Sequence, residues 1–396
     1  LFTGTDNEER TQQVTLSATS DEGKLSTTIN FELPGSAVGD ELSYRISLQR
    51  LGDPAVDDAG ATYPGPGDTE THQVEGPKNT FRVVLVPYQY NADGSGRLPD
   101  TSAAAVKKFE ERFMQLFPVS AVEVSVRVPV PWAKTIAPFG QGWQEVMQST
   151  YSLRLSDKAP EDVYYYGLFN PMPTKDEFCK QGCLLGVTTL NDKPELQGDP
   201  ELRWAVGVGY PETAIDTAAH EIGHAHGRRH VNCGAGVDPK SVDQDYPHAP
   251  SSIGVWGWNM HTGQLIAPTS ASDIMGYCED RWISDYSFAA WLKRGAAVNL
   301  PHWQPAPDAD QRFDVIMVGG NGVADRWLQQ TVRLPRRRGD GTLPVTVQTK
   351  AGATQRHGLF VPYDHLVGGM LFVPTTATRA SRLEAVVDGR LVSIAR

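Results

Sequence analysis

Residues 217–233 read TAAHEIGHAHGRRHVNC, with four histidines and one glutamate between His220 and His230. On a helix, His220 and His224 stand four apart and so share one face, about one turn from each other. Two neutral imidazoles placed this way make half of a zinc site. Glu221, beside the first, lies where a bound water needs a general base. His226 follows His224 by two positions, roughly 200° round the helix, and points away. His230 reaches the same metal only if the helix stops and the chain turns back. Gly227 stands where that turn must begin, and glycine adopts positive φ without steric cost. The stretch therefore reads as a centre of His220, His224 and His230, with Glu221 as base, Gly227 as hinge and His226 as bystander.

The full string, H-E-x-x-H-x-x-G-x-x-H, resembles that of the metzincin zinc peptidases, whose second mark is a methionine turn downstream. SDIMGYCEDRW at 272–282 offers Met275 for that turn. The resemblance implies that Met275 floors the site. It also implies that Tyr277, two residues on, helps hold the metal or the developing oxyanion, as in astacin- and serralysin-like members. One catalytic Zn2+ and endopeptidase action on a protein or glycoprotein substrate follow from the same likeness. So does an α/β (α+β) catalytic domain with a twisted, mostly parallel sheet and an active-site helix. The strand RWAVGVGY (203–210) would then be the edge on which a peptide lies extended, over Trp204, Val206 and Gly207. The long segment 231–264, carrying Trp256, Trp258 and His261, is expected to wall the cleft. With its flanking β modules, the chain resembles secreted bacterial multidomain members, including those that cut mucin-type glycoproteins.

Around this centre the sequence divides into three. Residues 1–78 read as a β-rich module and linker: QQVTLSAT, STTINFEL and LSYRISLQ alternate apolar and polar residues, and 52–70 is rich in Gly, Pro and Asp. Residues 79–296, which the resemblance covers, alternate strand and helix. FRVVLVPY (81–88) is a buried-type strand, and 100–118 is an amphipathic helix stopped by Pro118. AVEVSVRVPV places Val122, Val124, Val126 and Val128 on one strand face. GWQEVMQSTYSLRL is a second helix, DVYYYGLF a strand and WISDYSFAAWLKR a last helix. Residues 297–396 are short strands ending in a hairpin at Asp388-Gly389, a small β domain.

The bulk numbers exclude some classes. A net charge of −11 argues against a general nucleic-acid or anionic-membrane binder. No apolar run approaches the ~20 residues that span a bilayer. The polar start at Leu1 reads as a mature or trimmed product. Cys179 and Cys183 stand close together, leaving Cys233 and Cys278 as the second pair. A zinc site from these four is the alternative, but the C-x-x-C knuckles such sites prefer are missing. Disulfides point to a secreted or cell-surface protein.

Asp238, Asp243 and Asp245 offer oxygens for Ca2+ without the D-x-D-x-D-G spacing, so a solvated acidic loop is the first reading. RLPRRRGDG (333–341) reads as an exposed hairpin tip. His72, His248, His302, His357 and His365 have no ligand-like spacing and receive no role. The rival to a peptidase is a surface binding protein with a retired or structural metal site. Against it, a structural zinc takes four protein ligands and has no use for Glu221.

Overall fold

The computed structural model describes residues 2–3, 6–7, 9–15, 17–35, 38–49, 61–74, 79–193, 199–234, 239–299, 311–320, 324–334 and 342–396. The chain forms two compact units, 1–78 with 262–265 and 79–261 with 266–396.

In the first unit, Glu41–Tyr44 pairs antiparallel with Phe2–Thr3 and with Glu70–Gln73, and Ile46–Ser47 pairs with Thr62–Tyr63. LSYRISLQ thus breaks into two short strands. QQVTLSAT and STTINFEL form none among their described residues, and Leu25–Thr27 is a single helical turn. Alternation makes a strand only when one face has a core to enter. Here Val14 and Phe31 are each 40% exposed. Of the expected linker, 52–60 lies outside the described residues, and 61–70 holds the strand Thr62–Tyr63.

The second unit is built on a mixed α/β sheet. Its strands are β1 (Thr80–Tyr90), β2 (Ala121–Val126), β3 (Val130–Trp132), β4 (Val163–Phe169), β5 (Gly186–Thr188) and β6 (Trp204–Val208), in the order β5-β6-β4-β1-β2, with β3 pairing the far end of β1. All pairings are parallel except β5 with β6. Three helices serve this sheet: α1 (Ala103–Leu116), α2 (Trp143–Ser156) and α3 (Ala214–Ala225). A fourth, α4 (Asp285–Asn299), follows the methionine turn.

The strict alternation along the strands sorts the sheet's two faces. Phe81, Val83, Leu85, Tyr164, Tyr166 and Ala205 pack with α1 and α3, whereas Tyr88, Tyr165, Trp204 and Val206 pack with α2. Ser102 caps α1 through its hydroxyl, which accepts from Ala105 N. The valine alternation outlasts its strand: β2 ends at Val126, and Val128 is 72% exposed.

Seven antiparallel strands complete the unit: β7 (Gln311–Val318), β8 (Arg326–Leu334), β9 (Leu343–Thr349), β10 (Gly352–Pro362), β11 (Gly369–Pro374), β12 (Ala380–Val387) and β13 (Arg390–Ala395), in the order β8-β7-β11-β10-β9-β12-β13. Asp388 and Gly389 both take positive φ at the last hairpin. This sheet shares a core with α2: Phe313, Val315, Met317, Val361, Tyr363 and Phe372 join Trp143, Met147 and Trp204 in one cluster. Gln144 Nε2 donates to Met317 O, and Arg326 pairs with Glu145. The strands from Gln311 onward and the α/β sheet thus share one apolar core. RLPRRRGDG from 335 onward lies outside the described residues.

Candidate metal centre

Helix α3 packs on the sheet beside α1, and it is buried from Thr217 to Ala225. Small residues permit that approach. A Cβ on Gly223 would sit 2.4 Å from Met275 Sδ, so the glycine inside HEIGH makes room for the methionine beneath. Asn191 caps the helix end, its Nδ2 donating to Ala225 O at 3.1 Å. Gly227 then takes φ 89°, and a Cβ there would stand 2.9 Å from Asn191 O. The turn brings His230 back to the helix.

Three imidazoles converge. His224 Nε2 lies 3.1 Å from His220 Nε2 and 3.1 Å from His230 Nε2. The outer nitrogens fix the tautomers: His220 Nδ1 donates to Ile274 O at 2.8 Å and His224 Nδ1 to Arg228 O at 2.6 Å. Ser241 Oγ stands 2.8 Å from His230 Nδ1. The inner nitrogens of His220 and His224 are then bare lone pairs facing one another, which repel unless a cation lies between them. Burial holds all three rings neutral, pushing His220 down to about 3 and His224 and His230 further. Zinc–nitrogen bonds of 2.0–2.1 Å in a tetrahedron imply nitrogens about 3.3 Å apart. The residues present fit such an ion.

His226 takes no part. Its ring stacks on Tyr164 at 5.1 Å, near Phe117 and Trp291, and its Nδ1 donates to Ile222 O. Met275 is fully buried under the helix, and its turn is pinned by Asp273. That carboxylate accepts from Met275 N at 2.8 Å, Ser284 N at 3.1 Å and Ser284 Oγ. Tyr277 Oη reaches 3.1 Å from His230 Nε2, and burial keeps the phenol protonated. Both cysteine pairs are bonded, with Cα atoms 4.7 Å apart for Cys179–Cys183 and 5.5 Å for Cys233–Cys278. The second joins the segment after His230 to the methionine turn.

Other expectations meet a different structure. Strand β6 is interior, flanked by β4 and β5, so Trp204, Val206 and Gly207 line no edge. Trp204 and Val206 are core residues, and a Cβ on Gly207 would strike Tyr166 Oη at 2.1 Å. The short strand Gly186–Thr188 covers that edge, and its three residues are too few to show a period in sequence. It lies beside the base: a Cβ on Gly186 would be 2.5 Å from Glu221 Oε1.

Trp256 is half-buried and Trp258 is 49% exposed. Neighbouring Asn259 and His261 bond to Gln115 and Glu111 of α1, which anchors this part of the loop on that helix. Asp243 is engaged by Arg228 at 2.8 Å and by Tyr286, while Asp238 lies outside the described residues.

Two site residues were given no role by the sequence reading. Asp364 and His365, in the loop after β10, enter the cluster. The ligand atoms of His220, His224, His230 and His365 lie within 4.8 Å of one another. His365 Nε2 is 3.4 Å from Glu221 Oε1, and its Nδ1 is 2.8 Å from Tyr277 Oη. Asp364 Oδ2 stands 3.6 Å from His224 Nε2. Asp364 and Glu221 lie close together beside His365, and burial raises both carboxyls, Glu221 to about 8 and Asp364 well above the ordinary range. Glu221 Oε2 and Asp364 Oδ2 are buried without a hydrogen-bond partner. The only sequence signal was an Asp-His pair interrupting the apolar run of VPYDHLVGG.

No protein-family model and no curated protein matches the sequence. In structure the chain is distantly similar to mature mirolysin of Tannerella forsythia in complex with a cleaved peptide. The identity is 12%, over 56% of this chain and 92% of that one, with a TM-score of 0.30. A likeness so slight leaves the chemistry to rest on the residues themselves.

Proposed function

We propose that the protein is a secreted zinc-dependent endopeptidase of metzincin type. The reading is carried by the meeting of three histidine Nε2 atoms, successive pairs 3.1 Å apart, beside the buried carboxyl of Glu221. Zinc bound there supplies Lewis-acid activation of a water and of the scissile carbonyl. Glu221 takes the proton of the attacking water and returns it to the leaving amine. Burial strengthens this carboxyl's hold on a proton, the direction that a group taking and then returning one needs. Tyr277, kept protonated, donates its hydroxyl hydrogen to the developing oxyanion. The edge beyond β5, along which Pro362–Asp364 lies, is where an extended substrate would pair. Two disulfides suit an extracellular setting. Extracellular proteins, mucin-type glycoproteins among them, are the proposed substrates on the strength of the sequence resemblance.

A structural metal centre is the second reading, and the position of His365 favours it by supplying a fourth imidazole. Against it stand Glu221 and Asp364. Two buried carboxyls cost free energy that a purely structural ion would not require. The test maps, by mass spectrometry, cuts in unfolded proteins and in O-glycosylated mucin. His365→Ala is carried in the chain with and without Glu221→Gln. Cuts that vanish with Glu221→Gln while zinc stays bound support the peptidase. Zinc held by both chains with every substrate whole would sink it.

A further inference from the structure

The segment that brings His365 to the cluster also lies along the sheet edge. Leu190 N donates to Pro362 O at 2.8 Å, Asp364 N to Thr188 O at 3.2 Å, and Thr188 N to Asp364 Oδ1 at 3.0 Å. Thr189 and Tyr363 face each other as an antiparallel bridge. Pro362–Asp364 thus extends the edge as an extended peptide would. At its end, His365 stacks beside His220 and His230, with ring centroids 5.6 and 4.7 Å away. Tyr277 Oη stands 2.8 Å from Nδ1, and in the tautomer whose Nδ1–H donates to that oxygen, Nε2 keeps its lone pair toward the cluster.

Resting on the peptidase reading, we propose that His365 is a fourth, displaceable ligand of the same metal, and that Pro362–His365 holds the site closed. Hydrolysis needs an open position on the metal, a free general base and a free strand edge. One four-residue segment stands in all three places: His365 at the open position and 3.4 Å from Glu221 Oε1, Asp364 beside the same carboxyl, and Pro362–Asp364 along the edge. A structural ion would use only the first. Tyr363–His365 belong to the loop that follows β10, which ends at Pro362; the loop is closed by Tyr363 N donating to Gly368 O at 3.1 Å, and Val367 in it is 57% exposed. The loop can therefore leave the cleft while the strands on either side stay paired. Displacement by a competing strand, or a cut at Val367, opens the site.

The test uses the full chain loaded with Co2+, whose visible spectrum reports its ligands, with acetohydroxamate as the probe for an open position. Three forms are compared: the natural sequence, His365→Ala, and a chain with a site-specific protease sequence placed at Val367 and then cut. The natural chain should leave its spectrum unchanged at hydroxamate concentrations at least tenfold above those that shift the other two. Amide exchange at Leu190 should quicken in the opened forms. If the natural chain binds hydroxamate as readily as His365→Ala, the proposal falls. It falls equally if His365→Ala, still folded, loses cobalt altogether, because His365 is then a permanent ligand. The cut chain decides the matter should His365→Ala fail to fold. Opened forms that take hydroxamate yet cut no peptide would uphold the closure and overturn the peptidase reading. Cutting at equal rates by all three would do the reverse.

Discussion

Two segments of the second unit reach the same cluster by different routes. His220, His224 and His230 are delivered by one helix turn and one reversal, so their convergence follows from spacing and from the positive φ of Gly227. Asp364 and His365 are delivered by sheet packing. β10 and β11 pair antiparallel, their apolar face seats on α2, and only then does the loop between them fall against Glu221. The first route is local and the second tertiary. A site can be readable in its ligands and still hide what stands in front of them.

The comparison breaks most openly at Glu221. In the His365→Ala background, Glu221→Gln should lower the rate of peptide cutting by about 10²–10⁴-fold, the usual contribution of a positioned general base, with zinc content unchanged. Activity that survives would show that the local motif is not the reacting centre.

Next in size is the Cys233–Cys278 bridge, which locks the local half of the site across a sequence separation of 45. Replacing both cysteines by serine should cost about 4 kcal/mol on the chain-entropy model, against about 2 kcal/mol for Cys179–Cys183 with its separation of 4. Guanidinium unfolding at equal protein concentration measures both. Equal losses would mean that strain or solvation, rather than loop length, governs these bridges.

Legibility in the sequence followed the same division. Helix α1 could be read because Phe109, Phe113 and Leu116 recur on one buried face and Pro118 stops the pattern. The hairpin at Asp388-Gly389 could be read because two residues at positive φ leave few alternatives. Val126 and Val128 misled, since alternation continues where no neighbour covers the chain. The edge strand Gly186–Thr188 went unseen for want of length, and Trp204, Val206 and Gly207 were assigned its place. His365 was dismissed for lacking a spacing. Spacing, however, describes only contacts made within one element.

Gly227 and Gly368 put the two routes side by side. Each has positive φ, 89° and 116°, and a Cβ on either would press on a backbone oxygen, Asn191 O at 2.9 Å or Val318 O at 2.1 Å. Alanine at either position should cost on the order of 1–3 kcal/mol. The functional signatures should part. Gly227→Ala displaces His230 and weakens zinc binding, whereas Gly368→Ala unseats the loop, retains the three-histidine ion and eases hydroxamate entry. Isothermal titration with each ligand separates them, and identical profiles would erase the distinction.

The smallest expected effect isolates what burial alone does to a carboxyl. Glu201 is covered much as Glu221 is, but it has no histidine cluster beside it. It accepts from Tyr151 Oη at 2.9 Å, with Arg154 of α2 as the favourable charge and Asp199 and Glu161 as the unfavourable ones. Burial raises its pKa from 4.5 to about 7. Between those values the folded chain holds a proton that the unfolded chain has lost, so stability falls as pH rises across that window. That contribution is complete below pH 4.5 and disappears as pH rises through about 7. Glu201→Gln keeps an acceptor for Tyr151 and removes the titration. Its unfolding free energy should therefore vary less between pH 5 and pH 8, by about 2 kcal/mol, with the variant the more stable at pH 8. Urea midpoints across that range measure the difference. Parallel profiles would mean that Arg154 already compensates the charge, and that a raised carboxyl in this core depends on its neighbours more than on its depth.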